Sequence, residues 1–483
     1  MKKRTILGIL CLSAGLSIEI LGYIIQNFNI IAIGLLLIFV NNILFAVKNI
    51  KGHIYFLIFQ LTFFVFILSR PILGALKREE WWKTAYQAEE NIYFALFVVT
   101  LAMLSLYIGG QIGCSLYKVK SMPRFKDYNM TIKDQVWWIQ KVSRIVFFVT
   151  AFFFFLQEGE KMMFMSGRTY VEFYSEFTSK LPGFFHTIAS FMTYSLCVYL
   201  ATFPDKKKCF LPLAIFEVSA IPSLIVGMRN PIVLNSLFIF FYYFMRDVKR
   251  ERQERKWIGK IEKRIICLLS PFAILFMAVY SYVRVGKSLV TKNPFLLIVN
   301  FLYGQGVTFD VITIGYGWQL GLPQRAGRNY TFGGMIDYIT RGRIGQFLFH
   351  TQPLPEGNNL INAIESNSLA HNLSYVSKKE AYLEGYGWGS SYVLENYLDF
   401  GYIGVICVSL ILGVVLVSAM NWWGDKIILN TVILVSLTGI FFIPRAETTG
   451  WLTFIITARF WSCIVLIYFV AYLSKWIYQK RKG

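Results

Sequence analysis

Long apolar runs alternate with short polar segments along almost the whole chain. A helix needs about 20 consecutive, mostly apolar residues to cross a bilayer, and twelve segments of this sequence meet that requirement. They lie near residues 5–25, 29–47, 53–72, 91–113, 137–157, 184–203, 209–227, 230–246, 265–283, 396–420, 428–444 and 451–474. The pattern predicts an all-α polytopic integral membrane protein with about 12 transmembrane helices and both termini on the same side.

The longest polar interruption of this pattern separates the ninth and tenth spans. It divides the chain into an N-terminal membrane bundle (1–284), a long loop (285–395) and C-terminal membrane helices (396–483). Loops of such length are usually functional or disordered. This one is rich in aromatic, glycine and charged residues, so we expect it to be ordered over the membrane surface and to carry the working site.

Part of this long loop is itself apolar. Residues 294–320 are too polar at Gln305 and Asp310 for a clean span, yet too apolar for open solvent. Such a segment is typical of interfacial helices or of a re-entrant pair. We therefore expect two helices here, close to the membrane.

Composition and charge agree with a membrane protein. Hydrophobic residues make up 56% of the chain, and the formal net charge is +21. The basic residues form short runs between the spans and do not line one face of a soluble domain. This distribution is typical of the loops that set the orientation of a membrane protein, and it argues against nucleic acid as a partner. The positive-inside rule then assigns these runs and both termini to the cytoplasm and the long loop to the extracytoplasmic side. The basic runs are MKKR, KNIKGH, YKVKSMPRFK, PDKKK, RDVKRERQERKWIGKIEKR and KWIYQKRKG.

Four arginines at predicted outward span ends form the first candidate constellation. They are Arg168, Arg229, Arg284 and Arg445. Guanidinium groups bind phosphate oxygens through paired hydrogen bonds, so such a cluster could hold a lipid-linked diphosphate. Arg229 and Arg445 each follow a short span with a sharply broken end. The alternative is that these side chains only extend to lipid headgroups.

His371 is the second candidate. It lies in NSLAHNLSY, among serine, asparagine and Tyr375 side chains that can bind a sugar, and the chain has only four histidines. Imidazole is well matched to accepting a proton from a hydroxyl group near neutral pH. The alternative is an ordinary surface histidine.

The run GYGWGSSYVLENYLDFGYIG is the third candidate. Ser390 or Ser391 could cap the helix that becomes the tenth span. Glu395 and Asp399 are four residues apart, hence on one helical face, where they could bind sugar hydroxyls or pair with an arginine. The alternative is purely structural: a serine caps the start of the helix, and the acidic residues are ordinary polar side chains of its first turns.

The sequence contains no Walker loop, dinucleotide fingerprint, HExxH or aspartate-rich metal motif. These motifs carry the residue types that nucleotide phosphates and metal ions require. We therefore expect neither a cofactor nor a catalytic metal.

Several of these segments, in this order, resemble the Wzy-type oligosaccharide repeat-unit polymerases of O-antigen and capsular polysaccharide. They are SGRTY after span five, GMRNP after span seven, the long loop, SLAHNLSY, GYGWGSSYVLENYLDFGYIG and finally IPR. The resemblance extends over most of the chain, and the Ser-x-x-His-x-x-Ser-Tyr run is its most specific part.

The resemblance implies a bacterial plasma-membrane glycosyltransferase. Such an enzyme transfers a growing glycan from undecaprenyl diphosphate onto the next lipid-linked repeat unit, without metal, and a flippase and a chain-length regulator of the same pathway are its expected partners. His371 would be the base, and Arg229 or Arg445 would stabilise the departing diphosphate, as Arg284 also could. The substrate-binding residues would be Arg168, Arg284, Tyr375, Glu384, Ser391, Glu395 and Asp399.

Two other functions fit the same pattern. An O-antigen-ligase-like enzyme has the same arrangement, in which a long loop lies between membrane spans, and differs in the acceptor that it uses. A lipid-linked oligosaccharide flippase also has about a dozen spans, but it needs a charged central cavity and has little use for a long outward loop.

Overall fold

The computed structural model describes residues 2–83, 88–116, 130–166, 168, 177–250, 256–283, 288–289, 291–424 and 426–482. It is 80% helical, and those residues contain no strand. Within them, 13 helical segments are long and apolar enough to cross a membrane. Twelve of these overlap the twelve predicted spans, and the additional one is Pro294–Gly317. The helical, multi-pass membrane architecture is therefore confirmed, while the number of crossings and their sidedness stay predictions.

The helices follow the apolar pattern closely. The first ten are α1 (Lys2–Ile25), α2 (Phe28–Lys48), α3 (Ile50–Phe63), α4 (Ser69–Lys77), α5 (Glu89–Leu116), α6 (Met130–Met165), α7 (Gly183–Ala201), α8 (Lys206–Val218), α9 (Ile221–Ile225) and α10 (Asn230–Val248). A π-helical turn, Phe64–Leu68, joins α3 to α4. π-Helical turns are frequent at functional sites.

The later helices include the short ones of the long loop. They are α11 (Lys260–Val283), α12 (Pro294–Gln305), α13 (Val307–Gly317), α14 (Gly333–Arg341), α15 (Arg343–Phe349), α16 (Leu360–Glu365), α17 (Leu369–Ser377), α18 (Lys379–Leu383), α19 (Tyr392–Trp422), α20 (Ile427–Leu437) and α21 (Ala458–Lys482). Short 3₁₀ helices occupy Gln319–Gly321, Ile440–Arg445 and Thr453–Ile456. The long loop is thus ordered into short helices.

Contacts divide the chain into two compact units. The first contains Met1–Val119, Arg264–Met420 and Phe441–Gly450, and the second contains Lys120–Lys263, Asn421–Ile440 and Trp451–Gly483. In the first unit, α2 packs against α1, α3, α4 and α5. In the second, α7 packs against α6, α20 and α21. The division into 1–284, 285–395 and 396–483 stays a prediction.

Glycines allow two long helices of the first unit to approach closely. A Cβ atom added to Gly109 of α5 would lie 2.1 Å from the Leu410 carbonyl oxygen of α19, and one added to Gly413 would lie 2.3 Å from that of Leu106. Small residues at such crossings let membrane helices pack backbone to backbone. This crossing anchors α19, whose first turns carry Glu395 and Asp399.

The predicted helix pair of residues 294–320 is present as α12 and α13. Asn293 caps α12 by accepting hydrogen bonds from two backbone N–H groups, and Pro294 opens the helix. The pair meets at Gly306, where an added Cβ atom would lie 2.5 Å from the backbone nitrogen of Arg70. At 1.5 Å per residue, the two helices are roughly 18 and 16 Å long, each shorter than a bilayer core of about 30 Å. Their interfacial or re-entrant placement stays a prediction.

Candidate functional site

The first unit holds a polar cluster around His371, the third residue of α17. His371 is partly buried, and its Nδ1 lies 2.8 Å from the Tyr382 hydroxyl oxygen of α18. That hydroxyl donates to the Asn359 carbonyl oxygen at 3.1 Å and accepts from the Asn359 N–H at 3.3 Å. Because a hydroxyl group has one hydrogen, this arrangement makes Nδ1 the donor toward Tyr382. The lone pair of the imidazole then resides on Nε2.

The surroundings of His371 favour its neutral form. Burial lowers the pKa of His371, and the nearby negative charge of Asp337 opposes that shift. Removing the imidazolium from water costs free energy, so the uncharged ring predominates near neutral pH. A neutral histidine with a free Nε2 lone pair can accept a proton from a hydroxyl group.

Asp337 of α14 fixes the turn that leads into α17. Its two carboxylate oxygens accept hydrogen bonds from the backbone and side-chain N–H groups of Asn367, both at 2.7 Å. The carboxamide oxygen of Asn367 accepts from Arg325 at 3.0 Å. Gly333 permits this approach, because an added Cβ atom would lie 2.1 Å from the Asn367 carbonyl oxygen. Burial raises the pKa of Asp337, and the hydrogen bonds from Asn367 oppose that shift.

The acidic residues at the start of α19 are both engaged by neighbouring chain segments. Glu395 is fully buried and accepts from the Ser390 hydroxyl at 2.5 Å and from the Thr448 N–H and hydroxyl at 2.7 and 2.9 Å. Asp399 accepts from the N–H and hydroxyl groups of Thr331 at 2.6 and 2.7 Å. These carboxylates therefore hold segments of the first unit together.

The capping interpretation of the preceding serines is wrong. The Ser390 hydroxyl bonds to the Glu395 side chain instead of a backbone N–H. The Ser391 hydroxyl is buried and has no hydrogen-bond partner among the described residues. A buried hydroxyl without a partner is costly.

The segment Phe441–Gly450 brings basic and acidic groups to the same region. A guanidinium N–H of Arg445 donates to the Gln305 carboxamide oxygen of α12 at 3.4 Å, and the group lies 5.8 Å from the centre of the Phe66 ring. Glu447, two residues later, is partly buried. Arg445 thus contacts α12, while Thr448 of the same segment contacts Glu395 of α19.

A buried ion pair lies behind this turn. Arg70 of α4 pairs with Asp310 of α13, with side-chain exposures of 13% and 7%. The Arg70 guanidinium also lies 5.2 Å from the centre of the Tyr303 ring. The pair holds the α12 and α13 helices against α4, and Gln305, the partner of Arg445, belongs to that helix pair.

The other predicted site residues are distributed unevenly. Tyr375 packs its ring 5.9 Å from that of Tyr382, beside His371, whereas Glu384 is exposed after α18. Arg229 precedes α10 in the second unit, and Arg168 of that unit is exposed over the ring of its neighbour Phe164 at 4.1 Å. Arg284 lies outside the described residues. The described candidate residues of the first unit are therefore His371, Tyr375, Glu384, Ser391, Glu395, Asp399 and Arg445.

The comparison with known families decides the assignment. The family model of the O-antigen polysaccharide polymerase Wzy matches residues 7–476, nearly the whole chain. The chain belongs to that family. No curated protein and no solved structure matches it.

Membership in the Wzy family makes the chain a multi-pass membrane protein of polysaccharide biosynthesis, in a family of polymerases that act on lipid-linked oligosaccharide repeat units. The match runs through both units and through the helices that carry the His371 cluster. It is a match to polymerases, so the flippase alternative receives no support.

Sequence reasoning did not find three groups that organise this part of the first unit: Tyr382, Asp337 and the Arg70–Asp310 pair. Tyr382 lies 11 residues after His371 and contacts it only because α17 and α18 fold against each other. The available local signal is its position between the NSLAHNLSY and GYGWGSSYVLENYLDFGYIG runs. Asp337 carried no local signal.

Proposed function

We propose that this protein polymerises polysaccharide at the outer face of the bacterial plasma membrane. It transfers the growing glycan from undecaprenyl diphosphate onto the next lipid-linked repeat unit, in the synthesis of capsule, exopolysaccharide or O-antigen. The observation that carries the proposal is the Wzy match over residues 7–476. The His371 geometry supports it, because the reaction requires a base beside an oligosaccharide.

In the proposed reaction, the Nε2 lone pair of His371 accepts the proton of the attacking sugar hydroxyl. The acceptor oxygen forms a bond to the anomeric carbon of the donor as the bond from that carbon to the diphosphate oxygen breaks. The electron pair of the broken bond stays on the diphosphate. Arg445 stabilises this developing negative charge, and Arg229 and Arg284 are further candidates for the same role.

The remaining predicted residues orient the sugars and the lipid-linked phosphates in this proposal. Tyr375 supplies a ring face beside the base, and Ser391 has an unused hydroxyl. Asp399 uses one carboxylate oxygen for its hydrogen bonds, which leaves the other as an acceptor. The buried Glu395 acts by holding Thr448, while Glu384 and Arg168 contribute from exposed positions.

The proposal includes topology and partners. Both termini are cytoplasmic and the segment 285–395 is extracytoplasmic, as the basic runs between the spans predict. A flippase delivers the repeat units to that side, and a chain-length regulator acts on the product. The transfer proceeds without a metal ion, because arginines supply the positive charge that the leaving diphosphate needs.

The test uses purified protein in liposomes that contain the undecaprenyl-diphosphate repeat unit of the host, without nucleotide and with EDTA. We expect a ladder of lengthening lipid-linked chains that His371→Ala abolishes. The matched control is His350→Asn, because His350 is exposed with a φ of 52°, a conformation that asparagine tolerates.

Other outcomes would contradict the proposal in different ways. Loss of the ladder in EDTA would refute metal independence. Repeat units that are unchanged but scrambled between leaflets would indicate a flippase. Transfer to a different added acceptor, without a ladder, would indicate a ligase-like enzyme.

A further inference from the structure

A cavity of about 210 Å³ lies between two helices of the second unit, α6 and α21. Its lining residues come from the first turns of α6 and the second half of α21. The two helices pack together beside the cavity, where the Trp138 and Tyr478 ring centres are 5.7 Å apart. The basic runs YKVKSMPRFK and KWIYQKRKG adjoin these helix ends. The predicted topology therefore puts the cavity at the cytoplasmic surface of the membrane, at the depth of the lipid headgroups.

Positive charge predominates around this cavity. Lys475 of α21 lines it. Lys141 and Lys480 each lie over the ring of a tryptophan that also lines it, with their Nζ atoms 5.3 and 5.0 Å from the ring centres. The sequence of α21 contains no acidic residue, and residues 130–144 of α6 contain only Asp134. The charge of the surrounding side chains therefore favours an anionic ligand.

The cavity also offers hydrogen-bond donors and aromatic surface. The Lys475 ammonium group and the carboxamides of Gln135 and Gln479 belong to its lining, and all three carry N–H groups. Phosphate oxygens accept hydrogen bonds from such groups. Tryptophan and tyrosine side chains form much of the remaining lining, as is typical at the depth of lipid headgroups. Basic pockets between membrane helices on the cytoplasmic side bind anionic lipid headgroups.

An apolar surface leads from the cavity along α21. Tyr472 lines the cavity and is exposed, so the cavity opens on the outer surface of this helix. Phe469 and Val465, three and seven residues earlier, are exposed as well. Residues at this spacing lie on one face of a helix. A lipid whose headgroup occupies the cavity can therefore lay an acyl chain along this face.

We propose that the cavity between α6 and α21 binds the headgroup of an anionic phospholipid. Lys475 and the two carboxamides donate hydrogen bonds to the phosphate, and the lipid bridges the two helices. A zwitterionic choline headgroup fits less well, because its ammonium group would need an aromatic ring face. Lysine ammonium groups already lie over the rings of Trp138 and Trp476. The inference goes beyond the proposed polymerisation and does not depend on it.

The test measures lipid binding to the full-length protein in detergent by native mass spectrometry. The protein is titrated with phosphatidylglycerol or with phosphatidylcholine of the same acyl chains, and we expect the wild type to bind phosphatidylglycerol more tightly. Lys475→Gln should weaken this binding about 5-fold, the usual contribution of one basic residue near an anionic headgroup. Ala471→Leu fills the cavity without a change of charge and should also weaken binding. Lys207→Gln, at an exposed position of the same unit, is the matched control and should bind like the wild type.

The proposal is overturned if the wild type binds both lipids equally, or if Lys475→Gln and Ala471→Leu bind phosphatidylglycerol normally. An equal loss in Lys207→Gln would also overturn it, because binding would then depend only on overall charge. Glycerol 3-phosphate or undecaprenyl phosphate that binds more tightly than phosphatidylglycerol would assign the cavity to a soluble phosphate or to the lipid carrier instead.

Melting temperatures identify folding defects in these variants. Lys475→Arg keeps the positive charge and should retain binding, so the lysine variants test the proposal even if Ala471→Leu does not fold. A wild-type protein that forms no polysaccharide ladder would refute the proposed function, while the lipid-binding measurement would still decide this inference.

Discussion

Replacing Tyr382 with phenylalanine should impair the proposed base without removing it. The hydroxyl group makes three hydrogen bonds: to His371 Nδ1 at 2.8 Å and to the carbonyl and N–H groups of Asn359 at 3.1 and 3.3 Å. The variant keeps the ring but loses the group that orients the imidazole and selects its tautomer. The histidine would then spend part of its time with the proton on Nε2, where it cannot act as a base.

The size of the effect follows from the bond to Nδ1. One hydrogen bond contributes about 1 to 1.5 kcal/mol net, and about 1.4 kcal/mol corresponds to a tenfold change in rate. We therefore expect kcat to fall about 5- to 10-fold, with KM nearly unchanged because the hydroxyl is used by the protein. The assay is the initial rate of ladder formation in liposomes over a range of repeat-unit concentrations.

The control for this prediction is Tyr386→Phe, on the same segment and 52% exposed. It should match the wild type. Melting temperatures are needed for both variants, since Tyr382 also ties α18 to Asn359, and the rate must be compared at a temperature where both are folded. A Tyr382→Phe enzyme within twofold of wild type at every pH would refute the orienting role of this hydroxyl.

Three further predictions concern stability and pH. Thr448→Val removes a hydroxyl donor that lies 2.9 Å from the buried Glu395 carboxylate. The free energy of unfolding in detergent should therefore fall by about 1 to 3 kcal/mol. An unchanged melting temperature would contradict this. Gly109→Ala puts a methyl group 2.1 Å from a backbone oxygen of the facing helix and should cost about 1 to 3 kcal/mol, whereas Gly159→Ala, with nothing within 4 Å, should not destabilise the protein. Asp337→Asn removes the charge that raises the pKa of His371, so this pKa should fall. The acidic limb of the pH profile of kcat/KM should then move to lower pH. A shift to higher pH would disprove His371 as the titrating base.

The candidate site shows where sequence reasoning reached its limit. His371 was identified because histidine is scarce in this chain and its neighbours are polar, and both signals are local. The role of Tyr382 depends on how two short helices fold against each other, so nothing in its own sequence context marks it. The same holds for Asp337, whose partner Asn367 is 30 residues away along the chain.

The two acidic residues of α19 illustrate the same limit. Their spacing placed them on one helical face, which the helix Tyr392–Trp422 confirms. Their partners come from distant segments: Thr448 for Glu395, and Tyr330 and Thr331 for Asp399. Sequence spacing determines the face of a helix, but only the packing determines what that face meets.

The sequence by itself determined the membrane class, the positions of the apolar helices, the segment that carries the polar cluster and the resemblance to Wzy polymerases. These depend on local hydrophobicity, helix length and short motifs, which act over one or a few helical turns. Only the tertiary structure decided the division into two units, the partners of His371 and the pairing of Arg70 with Asp310. The two units depend on which helices pack together, and the polar partners depend on which distant segments that packing brings close, because groups buried away from water need hydrogen-bond partners.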